Sequence, residues 1–280
     1  MLRTASLRLL DERDRDAAVA LTDADPMANV FVGARLRAAG LDPWRLGGEV
    51  WGFIDDGRLT ALCYAGGNLV PVRAGTDAVH HFAERGRRQG RRCSSINGPA
   101  HMVLPLWEQL EPAWGRAREV RPRQPLMMMR DLPAVAPDPA VRRVLPHEAD
   151  ILLPASIAMS TEEVGVSPTA ADGGALYRAR VRELIAAGRS YARIEDGRVV
   201  FKADVGSVTP HACQVQGVWV APDRRGERLS IGGMAAVVRL ALENVAPVVT
   251  LYVNDYNAPA LAAYRRVGFT QVGTFASILF

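Results

Sequence analysis

The chain has 280 residues, 49% of them hydrophobic and 23% charged, which is the balance of an ordinary globular protein and leaves room for one large domain or two of about 140 residues. Net charge is only +4, and the 34 Lys and Arg residues include a single lysine, Lys202. Arginine clusters at 85–92 and 116–123 have no interleaved aromatics, so they read as solvated helix faces and nucleic acid is not an expected partner.

In chain order, the first half opens with helical segments after Asp11 and over 26–39. Strands follow at 50–54, 59–64 and 69–72, then a helix over 76–89, and Cys93 to Ile96 read as strand again. The first two strands flank Asp56-Gly57, the strongest short hairpin signal. Residues 131–140 are rich in Pro and Ala without apolar periodicity and read as a linker. The expected domains are therefore 1–130 and 141–280, joined by 131–140.

The second half begins with a strand at 141–144 and a helix from 146 to about 159. A polar, Gly/Pro-bounded loop, Ser160 to Pro168, separates it from a helix over 174–187. A hairpin over 190–206 turns at Asp196-Gly197, and its Ile194-Glu195-Asp196-Gly197-Arg198-Val199 repeats Ile54-Asp55-Asp56-Gly57-Arg58-Leu59. A strand over 212–220 then leads through Ala221-Pro222-Asp223-Arg224-Arg225-Gly226-Glu227-Arg228-Leu229-Ser230 into a helix over 231–244. The β-branched run Val248 to Val253 reads as a buried strand. After it Asn257 reads as an N-cap, Pro259 falls in the first turn, and Gly268 closes the helix. Tyr264 is seven residues from Asn257, so both project from one helix face. A last strand is read at 275–280.

The cysteines (Cys63, Cys93, Cys213) are odd in number and far apart, and the histidines form no i, i+4 pair, so no metal is expected. Cys63 and Cys213 lie in apolar runs and read as buried, inert thiols. With no leader-like segment and no run of about 18 apolar residues, a reduced, membrane-free, cytoplasmic protein is expected. A homodimer stays open.

Two stretches in this order, the turn at 221–230 and the helix Asn257-Ala258-Pro259 to Tyr264 to Gly268-Phe269, resemble the signature of the GNAT (GCN5-related) N-acetyltransferases. The resemblance implies an α/β (α+β) fold of two tandem GNAT-like domains, each a mixed, mostly antiparallel central sheet flanked by helices. The first half lacks both motifs; its nearest basic turn, Arg85-Gly86-Arg87-Arg88-Gln89-Gly90, ends a helix rather than starting one. It reads as a degenerate domain without cofactor, as in tandem proteins of this family. Acetyl-CoA is the implied co-substrate and an amine of a small molecule or protein the implied acceptor. Its pyrophosphate is implied at the helix start formed by Arg225, Gly226, Glu227, Arg228, Leu229 and Ser230, where amides lacking helical partners and the dipole favour an anion. Backbone amides of Val218, Trp219 and Val220 are implied to hold the oxyanion, Asn257 to contact the pantetheine or pyrophosphate arm, and Tyr264 to protonate the leaving thiolate. Arg228 stands where the family pattern has its second glycine. Its side chain either crowds the phosphate or adds a cation to it; the steric reading expects Arg228→Gly to tighten binding. Glu162 or Glu163 is the candidate base, against a plain role beside a capping Ser160 or Thr161; Gln214 and Gln216 are neutral. Two alternatives differ in class: a silent acyl-CoA-binding regulatory module, and a tRNA-dependent aminoacyltransferase, which the modest net charge disfavours.

Overall fold

The computed structural model describes residues 5–170 and 173–280. Along the chain the elements are β1 (Ala5–Leu9), α1 (Arg15–Asp23), α2 (Val30–Ala39), α3 (Pro43–Leu46), β2 (Gly48–Asp55), β3 (Arg58–Gly66), β4 (Asn68–Val72), α4 (Thr76–Gln89), β5 (Ser95–Pro99), α5 (Ala100–Trp114) and β6 (Glu119–Met129). They continue with β7 (Arg142–Arg143), α6 (Ala149–Val164), α7 (Ala175–Ala186), β8 (Ser190–Glu195), β9 (Arg198–Val208), β10 (Cys213–Val220), α8 (Leu229–Asn244), β11 (Val249–Tyr252), α9 (Ala258–Val267) and β12 (Thr270–Leu279).

These elements form two compact units that interleave along the chain. Unit 1 takes the chain up to Met127 together with Tyr252–Tyr256 and Gln271–Phe280; unit 2 takes Met128–Leu251 and Asn257–Thr270. The Pro/Ala stretch at 131–140 is irregular but anchored in unit 2, through Ala134 N–H to Val267 O and Asp138 N–H to Gly232 O, each 2.9 Å.

In unit 1 the strand order is β1-β2-β3-β4-β5-β12-β6. All the pairs from β1 to β4 are antiparallel, β4 and β5 run parallel, and β12 lies antiparallel to β5 with Ile278 opposite Ile96. Strand alternation sorts the side chains. Trp51, Phe53, Ala61 and Cys63 pack under α4 and α5 with Phe82, Leu106 and Leu110. Val50, Leu62 and Tyr64 face α1 and α2 with Val32 and Leu36. In unit 2 the order is β11-β10-β9-β8-β7, with β10–β11 parallel and the rest antiparallel. Both units are thus mixed, mostly antiparallel sheets flanked by helices, the fold class read from the sequence. Both Asp-Gly turns have the two positive φ values their hairpins require, 47° and 76° at Asp56-Gly57 and 49° and 73° at Asp196-Gly197.

Two local expectations fail, and one helix was not expected. Ser160 to Val164 are not loop: α6 runs through them and stops at Gly165, whose φ of 77° only glycine takes without strain. Arg116 to Arg123 are not a helix face. From Glu119 they are strand β6, and Arg121 is buried against Glu119 at 2.8 Å. Residues 100–114 form α5 despite Pro105 and Pro112; prolines inside a helix cost hydrogen bonds, and here the buried face of Met102, Val103, Leu106, Trp107 and Leu110 outweighs them.

Because β12 is part of unit 1, a cavity in the last strand should destabilise that unit. Ile278 is fully buried in the core that holds Trp51, Trp107 and Phe82. Ile278→Ala is expected to cost about 2–5 kcal/mol. Urea unfolding followed by tryptophan fluorescence checks it, since only Trp219 of the tryptophans lies in unit 2; an unchanged midpoint would contradict this packing.

Candidate active site

The site expected from the sequence falls within unit 2 and starts from a fault in β10. The register against β9 shifts between Gln214 and Val215 and again between Gln216 and Trp219, so Gly217 and Val218 have no counterpart on β9. Gly217 takes φ 60°, and a Cβ there would meet Met159 Cε at 3.0 Å and Lys202 Nζ and Asp204 Oδ2 at 3.2 Å. Glycine is required on both counts. Next to this bulge, β10 pairs with β11 through Cys213–Val249 and Gln214–Thr250.

The turn after β10 carries Arg224, Arg225 and Arg228. Arg224 is held by Glu195 at 2.6 Å and by Glu227 at 2.8 Å. Arg225 donates to Glu162 Oε2 at 2.6 Å and to Val220 O at 3.2 Å. Arg198 pairs with Asp223. Arg228 is exposed and its guanidinium has no partner among the described residues. It is also the N-cap of α8, with φ 63° and no side-chain capping bond. Gly226, at φ 87°, has open space where a Cβ would be. The result is an uncapped helix start headed by an unpaired cation, the chemistry of an anion site.

On α9, Asn257 Oδ1 caps the helix by accepting from Ala260 N–H at 3.2 Å, and Pro259 sits in the first turn. Gly268 N–H and Phe269 N–H both bond to Tyr264 O, at 3.1 and 3.0 Å, which fixes the helix end. The Tyr264 ring is buried against Phe269, centroids 5.9 Å apart. Burial, with the negative charge of Glu163 as a second cause, raises its phenol well above the usual value. The structure therefore brings Tyr264 and Glu163 within electrostatic reach of each other. Glu162 is fully engaged: besides Arg225, its Oε1 accepts from Trp219 Nε1 at 3.1 Å.

Sequence reasoning missed the side chains beside the bulge. Lys202, fully buried, donates to Asp204 Oδ2 at 2.5 Å and to Gly217 O at 3.2 Å. Tyr177 on α7 donates to Ser156 O at 2.8 Å, and burial together with the nearby Asp204 charge pushes its phenol up to about 12. A signal was present: in Val199-Val200-Phe201-Lys202-Ala203-Asp204-Val205 two charges alternate onto one face of an otherwise apolar strand.

The family model described as Acetyltransferase (GNAT) family matches residues 168–269, and a domain of unknown function, DUF4081, matches residues 48–152. No curated protein matches the chain in sequence. Among solved structures, a GNAT-family acetyltransferase from Colwellia psychrerythraea is 11% identical, covering 98% of this chain and 99% of its own, with a TM-score of 0.59. A GCN5-related N-acetyltransferase from Sphaerobacter thermophilus is 17% identical over 98% of this chain and 95% of its own, TM-score 0.61. A tandem GNAT protein from the clavulanic acid biosynthesis pathway is 17% identical over 99% and 98%, TM-score 0.54. At these identities the likeness is one of fold, and it is a GNAT fold over nearly the whole chain.

Two outcomes follow from the site's backbone and burial. Arg228→Gly relieves a left-handed residue and should raise stability by about 0.5–1 kcal/mol, after subtracting the entropy glycine adds to the unfolded chain; equilibrium unfolding measures it. Tyr264 should stay protonated above the usual tyrosine range. Phenolate absorbance at 295 nm should therefore be the same in wild type and Tyr264→Phe up to about pH 11, and an extra step in wild type below that pH would contradict the burial.

Proposed function

We propose that unit 2 is an acetyl-CoA-dependent N-acetyltransferase acting on an amine of a small molecule or protein. The observation that carries this reading is the start of α8: an uncapped helix N-terminus with open space at Gly226 and the unpaired Arg228 guanidinium. These residues suit a pyrophosphate. Leu229 and Ser230 amides and the Arg228 side chain would hold it, and Val218 to Val220 would flank the acyl group. When bound, acetyl-CoA supplies an acyl group activated as a thioester. Tyr264, kept as a phenol by its burial, is suited to give a proton to a departing thiolate. Arg225, held by Glu162, fixes the turn rather than the ligand. The acceptor's nitrogen must also lose a proton, and the candidates read from the sequence for taking it are Glu162 and Glu163.

A silent acyl-CoA-binding module is the second reading, favoured by the full engagement of Glu162 and by arginine at the position of the family's glycine. Full-length protein titrated with acetyl-CoA by calorimetry tests the binding common to both, and thiol release in the presence of amines separates them. Tyr264→Phe should leave acetyl-CoA affinity within a few-fold while thiol release falls by about 10²–10⁴, the usual weight of a general acid. Normal turnover in that variant would leave Tyr264 a packed helix residue. Arg228→Gly discriminates the remaining pair of roles: tighter binding marks steric crowding, and a loss of about tenfold, near 1.4 kcal/mol, marks a phosphate ligand.

A further inference from the structure

The chain places arginine wherever it needs a strong base, with one exception. Lys202, its only lysine, has no exposed surface and sits on the face of β9 that also carries Asp204. A guanidinium brings five donors in a rigid fork, and the two acceptors here, Asp204 Oδ2 and Gly217 O, would leave most of them unanswered. A compact ammonium suits the space. Yet the pair is incomplete: the second oxygen of Asp204, Oδ1, is buried and has no hydrogen-bond partner among the described residues. A buried ion pair is tolerated when its remaining lone pairs are satisfied, so an unpartnered carboxylate oxygen in this position calls for a ligand.

Its position says which one. Asp204 stands directly across the ladder from Gln216, one residue before the bulge, and its Oδ2 lies 3.2 Å from where a Gly217 Cβ would be. Val218 to Val220, the edge expected to flank the acyl group, begin at the next residue. On the α6 side is Met159, half-buried, whose methyl lies 3.0 Å from that same Cβ position. An unbranched thioether moves aside at little cost. Tyr177 lies close enough for its phenol to register the Asp204 charge.

The geometry points to Asp204 as the catalytic carboxylate that receives the acceptor's ammonium, with Lys202 as the positioning residue that holds both Asp204 and the bulge. This rests on the reading of unit 2 as an N-acetyltransferase and assigns the base to Asp204 in place of Glu162 or Glu163. A primary ammonium bonded to Oδ1 gives one proton to Asp204, which passes it to solvent. The neutral amine attacks the thioester carbonyl, forming C–N. On collapse C–S breaks, and the second proton released by nitrogen is matched by the one the thiolate takes up. The class of acceptor implied is a primary amine on an unbranched approach, able to pass Met159.

The test uses full-length protein with ¹⁵N-labelled lysine, which has one side-chain ammonium resonance, and n-butylammonium chloride as the probe. With acetyl-CoA bound, the probe should shift the Lys202 resonance while equal sodium chloride does not. Asp204→Asn should cut thiol release with n-butylamine by about 10²-fold and leave acetyl-CoA affinity within about threefold, and Asp204→Glu should restore part of the rate. The double variant Lys202→Met with Asp204→Asn removes the buried charge left by the single change, so it reports if Asp204→Asn alone fails to fold. Acetyl-CoA binding with a Lys202 resonance indifferent to the probe overturns the assignment, as does wild-type thiol release in either Asn variant. If n-butylamine is not acetylated, the resonance alone decides. Absence of acetyl-CoA binding in wild type defeats the acetyltransferase reading itself, and this assignment with it.

Discussion

The contact on which the unit 2 site depends is the one from the Lys202 ammonium to the Gly217 carbonyl. A bulge frees backbone groups from the ladder, and a freed carbonyl inside a protein must find a donor elsewhere. Lys202 supplies it from the neighbouring strand, and Asp204 balances the charge. With the strand turned at Gly217, the chain runs through Val218 to Val220 into the 221–228 turn, and the turn sets where α8 starts. Lengthening, straightening or refilling the bulge would therefore move everything downstream of it.

The ion pairs around the turn matter less for their energy than for what they leave over. Pairs as exposed as Arg198–Asp223 and Arg225–Glu162 add little to stability, because solvent screens them. Their effect is directional. Glu195 and Glu227 claim Arg224, Glu162 claims Arg225, and Asp223 claims Arg198, so the positive end of the helix and Arg228 face outward without a carboxylate on them. Glu162 also takes the Trp219 indole, which ties the end of α6 to both sides of the turn.

Much of this was legible in the sequence because local chemistry and tertiary role agree there. Asp56-Gly57 and Asp196-Gly197 make hairpins wherever apolar strands flank them, and Asn257, Pro259 and Gly268 mark the bounds of α9 by rules that need no partner. The misses at α5 and β6 have one cause in common, a tertiary contact overriding a local signal. Pro105 and Pro112 argue against α5, and only its buried face restores it. Pro122 and Pro125 hide β6 in the same way. Lys202 and Asp204 showed in the sequence only as two charges on one strand face, not as a site, because their meaning depends on Gly217, thirteen or more residues on and on a different strand. The arginine at 228 was legible as a departure from a pattern, but not as a residue in the left-handed region, since only the backbone path requires that.

One feature of unit 1 bears on how the protein is made. Its sheet has an interior vacancy until β12 arrives, and Ile278 pairs with Ile96 across most of the chain. On the ribosome, β1 to β6 emerge long before that strand, with Trp107 and Ile96 on an unfinished core. Contacts so distant in sequence close slowly, and a sheet waiting for a strand exposes edges open to mispairing. Unit 2 has to be synthesised almost entirely before unit 1 can be completed, which makes the nascent N-terminal unit the segment most in need of a chaperone.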